Sequence, residues 1–233
     1  MFRRLGIAGI GIGLCLATLT IPSFANADRG DDIDRIHRSN VVFQEIMATP
    51  DRAVPQELLE TAKCIAIIPG EKKVAFWVGG SYGKGLVTCR TTRGWSGPVF
   101  LTLGGGSFGL QIGGSSTDIV MILKDRHGLK SLLGDRFKIG ADATAAAGPV
   151  GRHLSAGTDI RMTAEILSYS RSRGVFAGVS LDGAVVEPDQ SDDEALYGAN
   201  VRRQEILDGS VAAPRQARSF LQEIEKYTQN NRH

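Results

Sequence analysis

Cysteine and histidine are scarce in this chain, with three of one and four of the other in 233 residues, and neither is spaced as a zinc site requires. Cys15 lies inside the one long apolar run and follows Leu14, where lipid attachment calls for a small residue. The acidic stretch Asp189-Gln190-Ser191-Asp192-Asp193-Glu194 lacks the glycine and the spacing of a calcium loop, so it reads as a solvated loop. No metal and no cofactor is expected. No Pro- or Ser-rich linker divides the sequence either, and about 206 residues beyond the N-terminal run suit one domain with a substantial core.

A surplus of charge is also missing. The apolar run and its flanks, residues 1–27, have Arg3 and Arg4 before Leu5 to Ile21 and an Ala25-Asn26-Ala27 cleavage pattern after it. That is the layout of a signal peptide, with Asp28 as the mature N-terminus and a periplasmic or secreted destination. Residues 1–27 hold two of the 27 Lys and Arg residues and none of the 25 acids, so the remainder balances 25 against 25. Global attraction to nucleic acid is therefore not expected. In an oxidising compartment Cys64 and Cys89 either join in one disulfide or stay as two buried thiols.

Glycine is plentiful, at 29 residues, and two stretches repeat the pattern G-x-S-x-G: Gly79 to Gly83 around Ser81, and Gly105 to Gly109 around Ser107. In a serine hydrolase this pattern is a strand–turn–helix elbow. The residues that follow, Lys84 to Arg90 and Leu110 to Gly114, are not helical in pattern, which leaves a hydrolase using Ser81 or Ser107 as the remote alternative. A phosphate loop fails as well, because the four-residue gap and the Ser or Thr after Lys84 are absent. Glycines that bend a hairpin, form bulges or allow close backbone approach are the better reading.

Helical spacing of Ile33, Ile36, Phe43, Ile46 and Met47 predicts a helix over Asp31 to Ala48, and Pro55 opens a shorter one over Gln56 to Lys63. Strands are predicted at 64–68, 74–79, 85–90, 99–103, 108–112, 117–123, 160–170 and 175–181, with Pro69-Gly70 closing the first. Their close spacing favours antiparallel pairing. Asp125 to Gly134 suggests a short helix, and Arg215 to Tyr227 an amphipathic one with Phe220, Leu221, Ile224 and Tyr227 on one stripe. The fold class is α+β: a single domain with a twisted, mainly antiparallel, glycine-rich sheet or partial barrel, packed with N-terminal helices and a C-terminal helix.

Several stretches, taken in order, resemble the SYLF domain family: Ala62 to Pro69, Gly79 to Gly85, Trp95-Ser96-Gly97-Pro98, Ser116 to Val120, Ala147 to Arg152 and Ser172 to Leu181. The resemblance divides the chain into a signal peptide (1–27), an N-terminal helical segment (28–57), a SYLF-like β-rich domain (58–198) and a C-terminal helical extension (199–233). Its motif glycines are Gly79, Gly80, Gly83, Gly85, Gly148, Gly151, Gly174 and Gly178. The family implies a non-enzymatic, lipid-associated domain; eukaryotic members associate with phosphoinositides, some also bind or bundle actin, and they often approach membranes with a basic amphipathic N-terminal segment. Here the mature start is acidic, Asp28-Arg29-Gly30-Asp31-Asp32, which shifts the expectation to a membrane lipid or another amphiphile of a bacterial cell envelope. The candidate lipid-binding residues are Tyr82, Lys84, Lys138, Arg152, Arg161, Arg171 and Arg173, the bases for anionic head groups and the ring for interfacial contact. The alternative is a structural or protein-interaction module whose terminal helices bind a partner or form a homodimer.

Overall fold

A computed structural model describes residues 25–48, 54–76, 78–107, 115–125, 134, 136–150, 164–172 and 175–229. Two helices, α1 (Ala25–Met47) and α2 (Gln56–Thr61), precede the sheet. The sheet strands are β1 (Cys64–Phe76), β2 (Val78–Thr91), β3 (Gly94–Trp95), β4 (Val99–Ser107), β5 (Ser115–Leu123), β6 (Phe137–Lys138), β7 (Ala145–Ala147), β8 (Ile166–Ser172), β9 (Val175–Gly178) and β10 (Val185–Pro188). Helices α3 (Gln190–Tyr197), α4 (Arg203–Leu207) and α5 (Arg218–Thr228) close the chain, α5 preceded by a 3-10 turn at Arg215–Ala217. The strand order is β6-β10-β4-β2-β1-β5-β8-β7, with β3 on β2 and β9 on β8. Among the described residues every strand pairing is antiparallel except β7 with β8, and an isolated parallel bridge joins Ile139 and Ala143. The result is the expected α+β domain, a curled sheet with helices from both ends of the chain.

Both faces of the central strands are covered, which accounts for their short continuous apolar runs. Ile65 and Ile67 turn to one face with Leu86, Phe100, Val120, Ile122 and Leu167, under Ile36, Phe43 and Ile46 of α1, Leu58 and Leu59 of α2, and Phe220 and Ile224 of α5. Cys64, Ala66 and Ile68 turn to the other with Val87, Leu101, Ile119 and Met121, covered by Phe137, Ile139, Ile206 and Leu207. The described buried residues of α1 run from Asp32 to Ile46.

Two boundaries differ from the sequence expectation. Pro69-Gly70 does not end the first strand: β1 runs through it by a bulge, with the register shifting between Ile67 and Lys72 against β2 and between Ile68 and Glu71 against β5. Gly70 takes φ +66°, and its N–H donates to Asp118 Oδ1 at 2.9 Å, so the bulge is held rather than frayed. The second difference is at Gly79 to Gly85, which is strand interior, not a bent hairpin. Phe76 pairs with Val78, and β2 pairs with β1 on one side and β4 on the other. Gly85 permits this crowding: a Cβ there would lie 2.4 Å from the Ile67 carbonyl oxygen and 2.7 Å from Ile68 Cγ1. β10 and α3 were not anticipated, and most of the Asp125–Gly134 helix and the 108–112 strand lie outside the described residues.

Cys64 and Cys89 are direct cross-strand partners in β1 and β2, and they form a disulfide with Cα atoms 4.0 Å apart. Neither is more than 1% exposed. The Cys64→Ala, Cys89→Ala double variant is expected to remain folded but to lose about 3 kcal/mol of unfolding free energy, the loop-closure value for a link across roughly 25 residues. Urea unfolding with and without the pair measures it, and an unchanged midpoint would mean that the link adds nothing to the strand pairing.

Candidate functional site

The two serine motifs are neighbours, hydrogen-bonded strand to strand. Gly79 pairs with Ser107, Gly80 with Gly106, and Ser81 with Gly105. Ser81 lies within β2, which continues as strand to Thr91, so it lacks the strand–turn–helix geometry that exposes a nucleophile, and residues 108–114 after Ser107 lie outside the described ones. The repeat is a sheet device.

Beyond the end of β2 covered by α1, the described residues leave the helix-side face of the sheet open. Register places Tyr82, Gly104, Val185 and Lys138 in one row across β2, β4, β10 and β6, and paired residues share a face. Tyr82 is 54% exposed. Gly104 has no atom within 4 Å of where a Cβ would sit, so the row dips there into a shallow pocket of about 290 Å³ lined by Tyr82, Thr102, Arg136, Val185 and Glu187. Arg136 Nε donates to Glu187 Oε1 at 2.8 Å, and Lys138 is exposed next to it. Of the predicted lipid-binding residues, Tyr82 and Lys138 are brought together.

Lys84 and Arg171 are not free for a head group. Lys84 shares the Tyr82 face, but its Nζ meets Asp189 Oδ2 at 2.7 Å and Asp192 Oδ2 at 3.0 Å. Burial works against its charge, but the two carboxylates outweigh burial and hold its pKa above the ordinary lysine value. Arg171 pairs with Asp118 at 2.6 Å and with Glu45 of α1, so it ties helix to sheet. Arg152, Arg161 and Arg173, with Gly151 and Gly174, lie outside the described residues. Gly148 and Gly178 meet each other: a Cβ on Gly148 would strike the Tyr169 ring at 2.1 Å, and one on Gly178 the Gly148 carbonyl oxygen at 2.1 Å. The apolar stripe of α5 is also not a partner face, because Phe220 and Ile224 are buried in the chain's own core.

The acidic run is where the sequence reading fails. It forms the start of α3, with Asp189 as N-cap accepting from the Asp192 N–H, and Asp192 and Asp193 are 6% and 5% exposed. Asp192 Oδ2 accepts from Arg35 Nη1 of α1 at 2.6 Å, and the guanidinium lies 4.9 Å from the Phe100 ring centroid. Asp193 Oδ1 accepts the Phe100 N–H at 2.8 Å. Lys84 and Arg35 together balance Asp189 and Asp192, and Asp32, fully buried with Arg35 Nη1 at 3.4 Å, is a surplus carboxyl. Its oxygens accept no hydrogen bond from the described residues. Burial first, then the nearby charge of Asp192, push its pKa up to about 7 against the pull of Arg35 and Lys84. Burial likewise pushes Asp193 up to about 7. Asp189 has the residue type of an N-cap, and no local pattern marks Asp32 or Arg35 as buried.

A curled sheet with helices from both ends of the chain, one of them ion-paired to it, defines an α+β domain. Comparison with known proteins gives the family. Residues 104–227 match the model of Ysc84, described as Las17-binding protein actin regulator, and the chain belongs to this family, the SYLF family that its motifs resemble. It is 31% identical over 191 residues to SH3 domain-containing YSC84-like protein 1 of Homo sapiens, covering 80% of this chain and 56% of that protein. It is 31% identical over 183 residues to the protein of the same name in Xenopus laevis (77% and 54%). LAS seventeen-binding protein 3 of Saccharomyces cerevisiae is 32% identical over 168 residues, covering 70% of this chain and 36% of that protein. The chain thus spans about half the length, or less, of these curated relatives.

The two raised carboxyl groups set a direction for pH. Each binds its proton more tightly in the folded chain than at the ordinary aspartate value of 3.8, so their stabilising effect is complete below about pH 4 and is lost as pH rises through 7. Asp32→Asn keeps the shape without the charge. It is expected to match the parent's melting temperature at pH 3 and exceed it at pH 8; a lower value at pH 8 would make Asp32 a required anion for Arg35.

Proposed function

We propose that the chain is a non-enzymatic binding module that holds a protein partner on the open sheet face around Tyr82. The observation that carries the reading is the row Tyr82, Gly104, Val185 and Lys138: an exposed ring, a notch and a basic rim on a sheet face that is otherwise closed by helices. Tyrosine and arginine are enriched at protein interfaces because one buries a large rigid surface and the other forms directional hydrogen bonds. Glu187 holds Arg136 at the rim of the notch. The family description, Las17-binding protein actin regulator, and the similar protein named LAS seventeen-binding protein 3 support a polypeptide as the partner.

A second reading puts an anionic lipid or another amphiphile of the cell envelope on the same face. Its support is the pairing of an interfacial ring with Lys138 and Arg136, the charge and apolar contact that a head-group region offers. Export with cleavage after Ala27 is part of this reading, and the buried Cys64–Cys89 disulfide fits an oxidising compartment. Mass spectrometry of the chain isolated from its own cells would then find Asp28 as the first residue.

Gly104→Val fills the notch without a clash, because the position of its Cβ is open, and Lys138→Glu reverses the rim. Co-sedimentation with polymerised actin is expected for the parent chain, weakened by salt and reduced about tenfold in the double variant, the cost of losing a packed notch and a charged contact. Pelleting instead with vesicles containing phosphatidylglycerol, lost in the same variant, selects the lipid reading. Binding to either that the double variant leaves unchanged moves the function away from this face.

A further inference from the structure

On another part of the molecule, two pockets of about 260 and 200 Å³ lie side by side where the β2–β3 turn meets the segment leading into α5. They share Arg93, Trp95 and Ala213, so together they form one groove. One wall is the turn itself. The other is the small-residue stretch Gly209 to Pro214 and the start of α5. Arg93 Nη2 donates to the Gly209 carbonyl at 2.6 Å and fixes the distance between the walls. The floor is held as firmly: Trp95 Nε1 donates to Thr228 Oγ1 at 2.8 Å, and the Arg90 guanidinium lies 4.9 Å from the indole centroid.

Charge around the groove is one-sided. Arg93, Arg215 and Arg218 are exposed along it, and Glu225 is the one carboxylate in the lining. A guanidinium has five N–H donors in a planar fork that matches a carboxylate, so Arg93 keeps donors beyond the one given to Gly209. We infer that this groove docks an extended acidic segment of a partner protein, with carboxylates on Arg215 and Arg218 and one apolar side chain against Trp95. Three features favour a peptide over a membrane surface. The groove is walled on both sides, its aromatic group is a fixed, half-buried floor instead of a protruding anchor, and its small residues let a second backbone come close. The inference rests on the protein-partner reading but uses a different surface, on the terminal helix rather than the open sheet face.

The test is fluorescence anisotropy with the full chain and a labelled oligoglutamate peptide carrying one central leucine, against the same peptide with glutamine in place of glutamate. Saturable binding of the glutamate peptide alone is expected, weakened about tenfold or more by Arg215→Glu with Arg218→Glu, as the loss of two charge-assisted contacts requires. Glu225→Gln is expected to tighten binding, an outcome that misfolding cannot imitate. Lys138→Glu should leave the peptide's affinity unchanged. Equal binding of the glutamine peptide, or indifference to the arginine pair, overturns the groove. So does an arginine variant that keeps the peptide and loses phosphatidylglycerol vesicles. None of these failures touches filament binding through the Tyr82 face, which is read separately.

Discussion

The Arg35–Asp192 contact is the constraint on which the arrangement depends. It joins α1 to α3 across 157 residues of sequence, and through Lys84 it joins both to β2. A buried ion pair of this kind adds little net stability, because desolvation offsets much of the attraction, yet removing one partner strands a charge at a cost of about 3–5 kcal/mol. Its effect is therefore positional. The cluster fixes the N-terminal half of α1 over Phe100, and the Arg171 contacts with Asp118 and Glu45 fix the C-terminal half over β8. Between those two anchors the helix seals the sheet, and the row through Tyr82 lies beyond it.

Close backbone approach is the second constraint, and glycine supplies it at two places. Gly85 lies in β2 where β1 bulges, and the bulge brings the Ile67 carbonyl and the Ile68 side chain into the space a Cβ would need. Gly148 and Gly178 meet above the Tyr169 ring, which itself stacks on Phe176 at 5.3 Å. The stretches Ala147 to Arg152 and Ser172 to Leu181 are far apart in sequence, and this contact is the physical reason they occur together. The paired G-x-S-x-G motifs follow the same logic: Gly105 faces Ser81 and Gly79 faces Ser107, so backbone pairing with little side-chain bulk is what the pattern provides.

What could be read from the sequence was whatever depends on neighbours along the chain. Alternating or continuous apolar runs marked β1, β4, β5 and β8, and the Phe220–Ile224 spacing marked α5, because local periodicity reports which face is buried. The acidic run was misread for the opposite reason. Asp192 and Asp193 are buried by partners at Arg35, Lys84 and Phe100, and no local pattern records a partner that distant. The same holds for Pro69-Gly70, whose turn-like dipeptide sits inside a strand because Asp118 holds the Gly70 N–H. Tyr82 and Lys138 could be named as candidates, but their common row depends on β10, a four-residue strand whose pairing with β4 and β6 the sequence does not announce.

Charge balance then takes on a different meaning. A chain whose acids and bases cancel beyond residue 27 looks unsuited to anionic partners, but the cancellation is not spread evenly. Asp32, Asp192 and Asp193 are directed inward, and Asp118 and Asp189 are held by Arg171 and Lys84. Arg93, Arg136, Lys138, Arg215 and Arg218 are exposed, the first, fourth and fifth around one groove and the second and third beside Tyr82. Those acids are matched where they sit by Arg35, Lys84 and Arg171, so what makes two local basic surfaces on a neutral chain is the clustering of exposed bases. The buried pair that anchors α1 thus leaves the outer charge unchanged, because Arg35 goes inward with Asp192, and the basic character of the open sheet face and the groove comes from which exposed bases the fold sets side by side.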